Sequence, residues 1–154
     1  MILNSCLKSI LLFYLSSTVT SICPDGWTKY DQSCYAVYKS KSSWLDAGSY
    51  CREFGGHLAT LNTTRKVTNI KAFLNYVNQK DNVWVGASDL RTEGLWVWDI
   101  DQASFTNTDW HPGQPDGGSQ NCLELYEPTK FTWHDTVCSN KFDYICERRS
   151  EAAL

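Results

Sequence analysis

Seven cysteines constrain this chain of 154 residues more than any other feature. Cys6 lies close to the N-terminus, and the others are spread over the rest of the chain: Cys23, Cys34, Cys51, Cys122, Cys138 and Cys146. No CxxC pair occurs among them, so the spacing indicates neither a zinc ribbon nor a redox motif. An even set of cysteines in a secreted chain predicts disulfides, although spacing alone does not choose among the possible pairings.

The N-terminal segment, residues 1–22, predicts a secretory signal peptide. Lys8 supplies a weak positive charge, and the apolar run at residues 10–15 is too short to span a membrane. Small residues follow, so we expect cleavage near Ser21 or Ile22. A buried first strand or helix is the alternative interpretation. If the segment is a signal peptide, the protein is secreted and extracellular, without membrane insertion.

The composition after this segment is typical of one folded domain. Aromatic residues make up 14% of the chain and include seven Trp, which is too many core-forming residues for a disordered protein. The formal net charge of −3 argues against nucleic acid as a partner. We therefore expect a domain over residues 23–147 and a short C-terminal tail over residues 148–154.

Hydrophobic periodicity predicts two helices followed by strands. Ser42 or Ser43 can cap the first helix, which Gly55 and Gly56 end, and the second helix is expected to start at Asn62. A strand-like segment at residues 26–38 has a turn near Asp31. Short strand candidates follow at residues 83–87, 95–98, 122–126, 131–135 and 142–147. The order indicates an α+β fold with a long irregular stretch between residues 99 and 121.

Several short motifs then occur in an order that carries a family resemblance. They read CPDGW, CYAVY, VWVGASD, EGLWVW, QPD, WHD and YICE, in that order along the chain. The chain resembles a C-type lectin-like domain of the long form over residues 23–147. The resemblance implies two helices, short antiparallel sheets and a long loop region. It also implies three disulfides, Cys23–Cys34, Cys51–Cys146 and Cys122–Cys138. We expect Trp84, Trp96 and Trp98 to be core residues rather than sugar platforms.

The QPD motif carries the functional part of the resemblance. Calcium takes about six to eight oxygen ligands and can coordinate two neighbouring sugar hydroxyls when positions stay open. In the family, the bond before the residue that matches Pro115 is cis, and the side chains on either side of it bind the ion. The implied metal ligands are Gln114, Asp116, Gln120 and Asp135, and His134 joins these four in the implied carbohydrate site.

Two of these positions depart from the family pattern. Gln120 stands where the family usually has Glu, so an oxygen is kept and a charge is lost. His134 stands where the family usually has Asn, and imidazole nitrogen is a poor ligand for calcium. Two alternatives follow: water replaces the imidazole at the ion, or the imidazole donates a hydrogen bond to a sugar hydroxyl. We predict a calcium site that survives with a dissociation constant toward about 10⁻⁴–10⁻³ M.

The order of Gln and Asp in QPD accompanies galactose-type sugars in the family, where EPN accompanies mannose-type sugars. The implied partners are glycans with terminal galactose or N-acetylgalactosamine, and one suggested setting is innate immunity. An aromatic ring often packs on the apolar face of galactose, and the candidates here are Trp110, His111, Tyr126 and Phe131. A single sugar site is weak, so a homo-oligomer would supply useful avidity.

Other interpretations stay open at this point. Asp89 and Glu93 match a second calcium site of some relatives, whereas Gly117, Gln120 and Asn121 bring no carboxylate to it, and a solvated acidic pair is the alternative. A lectin-like domain with a degenerate calcium site could instead bind a protein partner or act as a matrix protein. No HExxH or GxSxG motif occurs, so the sequence predicts no enzyme. Residues 62–64 form an acceptor sequon for glycosylation, or only the cap of the second helix.

Overall fold

The computed structural model describes residues 21–152. The predicted signal peptide lies outside this range except for its last two residues, Ser21–Ile22, which form strand β1. Strand β1 pairs antiparallel with β10, Glu151–Ala152. No helix within the described range is long and apolar enough to cross a membrane.

The first part of the domain is a hairpin followed by a helix. Strands β2, Thr28–Tyr30, and β3, Ser33–Ser42, pair antiparallel around a turn in which Asp31 has a φ of 53°. Helix α1 covers Trp44–Glu53, and the hydroxyl oxygen of its N-cap Ser43 accepts a hydrogen bond from the Asp46 N–H. The second of the two predicted caps is therefore the one that the helix uses.

Helix α2 covers Thr64–Tyr76, so the predicted start at Asn62 is wrong by two residues. Thr63 is the N-cap because its backbone is extended and its Oγ1 accepts a hydrogen bond from the Lys66 N–H at 3.2 Å. Asn62 lies outside the helix and is exposed. The sequon therefore supplies the cap of the helix through Thr63, and glycosylation of Asn62 stays a prediction.

The remaining strands join β2 and β3 in one sheet. They are β4 His57–Leu58, β5 Val83–Ser88, β6 Val97–Trp98, β7 Cys122–Tyr126, β8 Thr132–Thr136 and β9 Phe142–Arg149. The strand order is β2-β3-β9-β5-β7-β8, with β4 beside β9 and β6 beside β5. All pairs are antiparallel except β5 with β9. This sheet places β7 and β8 at one edge.

Some strand bounds differ from the sequence prediction for local reasons. Strand β8 starts at Thr132 rather than at residue 131, because Lys130 and Phe131 have left-handed backbones with φ of 58° and 62°. Strand β6 is short because Leu95 belongs to a turn closed by its N–H bond to the Thr92 carbonyl oxygen. Strand β9 extends two residues beyond the predicted end, to Arg149.

The tryptophans of the VWVGASD and EGLWVW motifs lie in the hydrophobic core. Trp84, Trp96 and Trp98 are 0%, 7% and 1% exposed, so the prediction that they are core residues is confirmed. Gly86 is required between them, since a Cβ at this position would lie 2.6 Å from the Leu58 carbonyl oxygen. The loop after β6 packs on the same core, because the Phe105 ring lies 4.7 Å from the Trp98 ring.

The three disulfides are the ones that the resemblance implies: Cys23–Cys34, Cys51–Cys146 and Cys122–Cys138. The second joins α1 to β9, and the third joins the start of β7 to the segment after β8, with 5.2 Å between the two Cα atoms. Together with the two helices and the antiparallel pairs, they confirm the predicted α+β fold. The third disulfide lies at the base of the QPD loop.

Candidate calcium and carbohydrate site

The QPD loop is held against strand β8 by a set of hydrogen bonds around Asp135. This residue is 3% exposed, and its carboxylate accepts hydrogen bonds from the N–H groups of Asp116 at 3.0 Å and Gly117 at 2.6 Å. In return, the Asp135 N–H donates to Gln114 Oε1 at 3.2 Å. The peptide bond between Gln114 and Pro115 is cis, as the resemblance implies. The loop and the strand are thus connected in both directions.

Gln120 completes this group of side chains from the other side of the loop. Its Nε2 donates a hydrogen bond to Asp116 Oδ1. Asp116 is exposed and Gln120 is half-buried, so both remain within reach of a ligand from solvent. The structure therefore brings together the four predicted metal ligands, Gln114, Asp116, Gln120 and Asp135.

The chemical types of these four side chains fit a calcium ion. Two carboxylates balance a divalent charge, and the two amides can add neutral oxygens, which is the ligand type that calcium prefers. The carboxylate oxygens of Asp135 already accept backbone hydrogen bonds but keep lone pairs for an ion. Gln120 must rotate its amide to present oxygen. Within residues 21–152, no group of three or more His, Cys, Asp or Glu side chains is placed to hold a metal. In the predicted set, the two glutamines would supply half of the side-chain ligands.

His134 lies beside these residues and packs against two other rings. Its ring centroid is 4.9 Å from that of His111 and 4.6 Å from that of Tyr126, and its Nε2 lies 3.3 Å from Thr129 Oγ1. Burial lowers the pKa of His134, His111 lowers it further, and Asp135 and Asp116 act in the opposite direction. A neutral imidazole is the form that can either accept or donate a hydrogen bond at a sugar hydroxyl.

The structure separates the four aromatic candidates for sugar packing. Phe131 is 2% exposed, and the Trp110 ring packs 5.0 Å from Trp96 in the core. His111 and Tyr126 are each only partly buried and flank His134. His111 is also joined to the QPD loop, because its carbonyl oxygen accepts a hydrogen bond from the Gln114 N–H at 2.8 Å. These two rings are the candidates next to the site.

One charged residue near the site was missed by sequence reasoning. Glu124 is 6% exposed in the middle of β7 and lies opposite His134 in the β7–β8 pairing. Burial raises its pKa to about 7; a hydrogen bond from Asn82 opposes this shift, and the Asp135 charge adds to it. A single glutamate inside an otherwise apolar strand is the sequence signal that could have found it.

Comparison with known proteins agrees with the geometry. A family model described as the lectin C-type domain matches residues 25–148. Perlucin from Haliotis laevigata is 37% identical over 129 residues, which cover 82% of this chain and 83% of that protein. The carbohydrate-recognition domain of the mouse scavenger receptor C-type lectin is 27% identical with a TM-score of 0.76, covering 84% of this chain and 99% of the other.

A further solved relative bears on the metal. A calcium-independent type II antifreeze protein is 26% identical with a TM-score of 0.76, covering 86% of this chain and 98% of the other. C-type lectin domains generally bind calcium, and this relative is an exception by its own description. Calcium binding therefore has to be argued from the residues of each chain.

The match over residues 25–148 shows that this chain belongs to the C-type lectin domain family. The fold is that of a carbohydrate-binding lectin, and the family supports glycans as the general class of partner. Since domains of this family are binding modules, the prediction that the protein is not an enzyme is confirmed by family membership.

Proposed function

We propose that this protein is a calcium-dependent lectin that binds glycans with terminal galactose-type sugars. The observation that carries the proposal is the convergence of Gln114, Asp116, Gln120 and Asp135 through hydrogen bonds that join the loop to β8. These four residues would hold one calcium ion, with His134 at the edge of the sugar site. The ion, when bound, would supply coordination positions for two sugar hydroxyls.

The side chains themselves contribute orientation and selectivity. Gln114 uses its oxygen on the Asp135 N–H, so its amide nitrogen is the group that remains to donate to a hydroxyl. Asp116 is exposed and can accept a hydrogen bond from the next hydroxyl. This order of donor and acceptor is the basis for proposing galactose-type rather than mannose-type sugars. Tyr126 and His111, which flank His134, would contact the apolar face of such a sugar.

Affinity for the ion is expected to be low. Only Asp116 and Asp135 carry a charge at the site, and Gln120 replaces the usual carboxylate. We expect a dissociation constant of about 10⁻⁴–10⁻³ M, the range of extracellular calcium modules. Such concentrations of calcium suit a secreted protein, and the proposal therefore includes the signal peptide over residues 1–22. Avidity for a glycan surface would come from a homo-oligomer, and glycan recognition in innate immunity is one setting for it.

The test is retention of the secreted protein on immobilised galactose. We expect retention in millimolar calcium, release by a chelator, and weaker retention on immobilised mannose. Asp116→Asn should abolish retention, whereas Asp25→Asn, which removes the same charge at another exposed position, should leave it unchanged. Wild-type protein should also melt at a higher temperature in millimolar calcium than in chelator. An unchanged melting temperature would refute calcium binding, and retention that resists the chelator would indicate a calcium-independent lectin.

The alternative is a lectin-like domain that binds a protein or acts in a matrix. One observation favours it: the carboxylates of the site are already satisfied by backbone N–H groups and by the Gln120 amide. A loop that is held without an ion does not need one in order to fold. Absence of retention on a panel of immobilised glycans, with or without calcium, would favour this alternative.

A further inference from the structure

A second group of side chains holds the QPD loop next to the contacts that Asp135 makes. Glu93 lies in the turn between β5 and β6, and its Oε1 accepts a hydrogen bond from the Gly118 N–H at 3.2 Å. Asp89 closes the same turn, since its Oδ2 accepts from the Gly94 N–H at 2.8 Å. Two successive N–H groups are thus divided between two carboxylates: Gly117 donates to Asp135, and Gly118 donates to Glu93.

Asn121 lies where the two carboxylates of this turn converge. With its amide nitrogen toward them, it donates to Asp89 Oδ1 at 3.1 Å and to Glu93 Oε2 at 3.2 Å. The opposite orientation would set its oxygen against two carboxylate oxygens, so the hydrogen-bond network assigns the amide this way. The backbone joins in as well, because the Asp89 N–H donates to the Asn121 carbonyl oxygen at 3.2 Å.

These residues occupy the positions at which some relatives hold a second calcium ion, and they do not fit that ion. Calcium needs about six to eight oxygens and binds best where several carboxylates meet, whereas this group has two carboxylates and one neutral amide. Gly117 brings no side chain, and a Cβ at this position would lie 2.9 Å from Glu93 Oε1, on a backbone with a φ of +74°. Glu93 itself therefore fills the space next to residue 117.

We propose that Asp89, Glu93 and Asn121 form a metal-free clamp, in which the Asn121 amide takes the place of a second cation. The clamp positions Gly118, and through the adjoining peptide it positions Gly117 and Asp116 at the sugar site. The protein then binds at most one calcium ion per chain. The position of the loop is set by hydrogen bonds to charged groups, which are stronger than neutral ones. The count of ions rests on the proposed function, whereas the clamp does not.

The test replaces the Asn121 amide, which is the donor of the clamp, with a third carboxylate. In Asn121→Asp no N–H remains between Asp89 and Glu93, so three like charges meet and the clamp opens without metal. Hydrogen exchange of residues 116–121, measured by mass spectrometry in chelator, should be about tenfold faster than in wild type, since two hydrogen bonds to charged groups are lost. Asn75→Asp makes the same change at an exposed position of α2 and should leave this exchange unchanged.

Calcium binding should then hold the loop of the Asn121→Asp variant in place again. Three carboxylates suit a divalent ion, so Asn121→Asp should bind one more calcium ion per chain than wild type by equilibrium dialysis, and calcium should slow its exchange at residues 116–121. Two ions bound by wild type would overturn the proposal. So would equal exchange of wild type and variant in chelator. No ion bound by wild type would refute the calcium site of the proposed function, and the exchange comparison would still decide the clamp.

A second variant covers the case in which three carboxylates prevent folding. Glu93→Ala removes the acceptor of the Gly118 N–H without adding charge, and it should also accelerate exchange at residues 116–121 in chelator. Retention on immobilised galactose should weaken without being lost, because Glu93 positions the loop and contacts neither ion nor sugar. Slow exchange in Glu93→Ala would show that the loop is held by Asp135 alone and would overturn the clamp.

Discussion

Two buried glutamates of the same sheet have similar exposure and opposite surroundings. Glu147 on β9 is 4% exposed, and Glu124 on β7 is 6% exposed. Glu147 accepts hydrogen bonds from Ser33 Oγ at 2.7 Å and from Lys66 Nζ at 2.6 Å, and also from the N–H and hydroxyl of Thr60. Glu124, by contrast, has an Oε2 atom without a hydrogen-bond partner among the described residues.

The surroundings determine the sign of the pKa shift. Burial raises the pKa of Glu147, but the charge and hydrogen bond of Lys66, together with the hydrogen bonds from Thr60 and Ser33, outweigh it and leave the pKa lowered. Burial raises the pKa of Glu124 to about 7, and no cation opposes it. A charged group inside this fold therefore stays ionised where the chain supplies its own cation. In the proposed function, the calcium ion would supply the cation for the carboxylates at the QPD loop.

The largest effect on stability is expected where the internal cation is removed. Lys66→Met leaves Glu147 buried with neutral donors only, and we expect a loss of about 3 kcal/mol in the free energy of unfolding at pH 7. The side chains of Lys66 and Glu147 are 24% and 5% exposed, so solvent screens this pair only in part. Urea unfolding measures the loss, and Lys80→Met, at an exposed position, is the matched control.

The pH dependence of the same variant sharpens this prediction. A carboxylate with a lowered folded pKa stabilises the fold above its unfolded pKa, near 4.3, and this contribution is lost as the pH falls through the folded value. Without Lys66 the folded pKa of Glu147 is higher, so the variant should gain less stability than wild type between pH 3 and pH 6. A loss at pH 7 no larger than that of Lys80→Met would contradict the role assigned to the pair.

A smaller effect of opposite sign is expected at Glu124. Its folded pKa of about 7 lies above the unfolded value, so the folded state holds a proton that the unfolded state has released. Stability from this group is complete below the unfolded pKa and falls as the pH rises toward and through about 7. Glu124→Gln removes this loss, and we expect about 1–3 kcal/mol more stability than wild type at pH 8 and a smaller difference at pH 5.

Urea unfolding at the two pH values, in chelator, measures the difference at Glu124. Glu53→Gln changes an exposed glutamate of α1 and should alter stability equally at both pH values. If Glu124→Gln and wild type lost the same stability between pH 5 and pH 8, the carboxylate would be ionised in the folded protein. The contrast with Glu147 would then be wrong.

The fold could be predicted from the sequence because several motifs that indicate it are spread along the chain. The cysteines of the chain, and the tryptophans of β5 and β6, belong to motifs whose order indicates the family. The resemblance implied the same three disulfides that the structure has. Local choices were less accessible. Asn62 and Thr63 are both good cap residues, and only the backbone conformation shows that Thr63 is the cap.

The site could be predicted in its residue types but not in its hydrogen bonds. The sequence identifies Gln114 and Asp116 through QPD, yet the use of Asp135 as an acceptor for two loop N–H groups depends on how β8 meets the loop. Asn121 is a second example, because the sequence shows only that this residue brings no carboxylate. Its donor role appears when a distant turn brings Asp89 and Glu93 to its amide.

The smallest effect is expected from giving the proposed calcium ion a better ligand at position 134. His134 lies opposite Glu124 and next to Asp135, where the family usually has an asparagine. His134→Asn replaces an imidazole with an amide oxygen, a ligand that calcium prefers, so we expect calcium affinity to rise by up to about tenfold. Calcium titration followed by melting temperature measures this, with His111→Asn, which alters the neighbouring ring, as the control.

The result at His134 also separates two roles of this residue. Higher calcium affinity with retention on galactose kept would mean that His134 only weakens the ion. Higher calcium affinity with retention lost would mean that the imidazole contacts the sugar, through the ring cluster with Tyr126 and His111. Unchanged calcium affinity would mean that the side chain at position 134 does not affect the ion, and the prediction of a better ligand would be wrong. If calcium shifted the melting temperature of neither protein, the carboxylates near the QPD loop would differ from Glu147 in lacking any cation, internal or bound, and the protein-binding alternative would gain support.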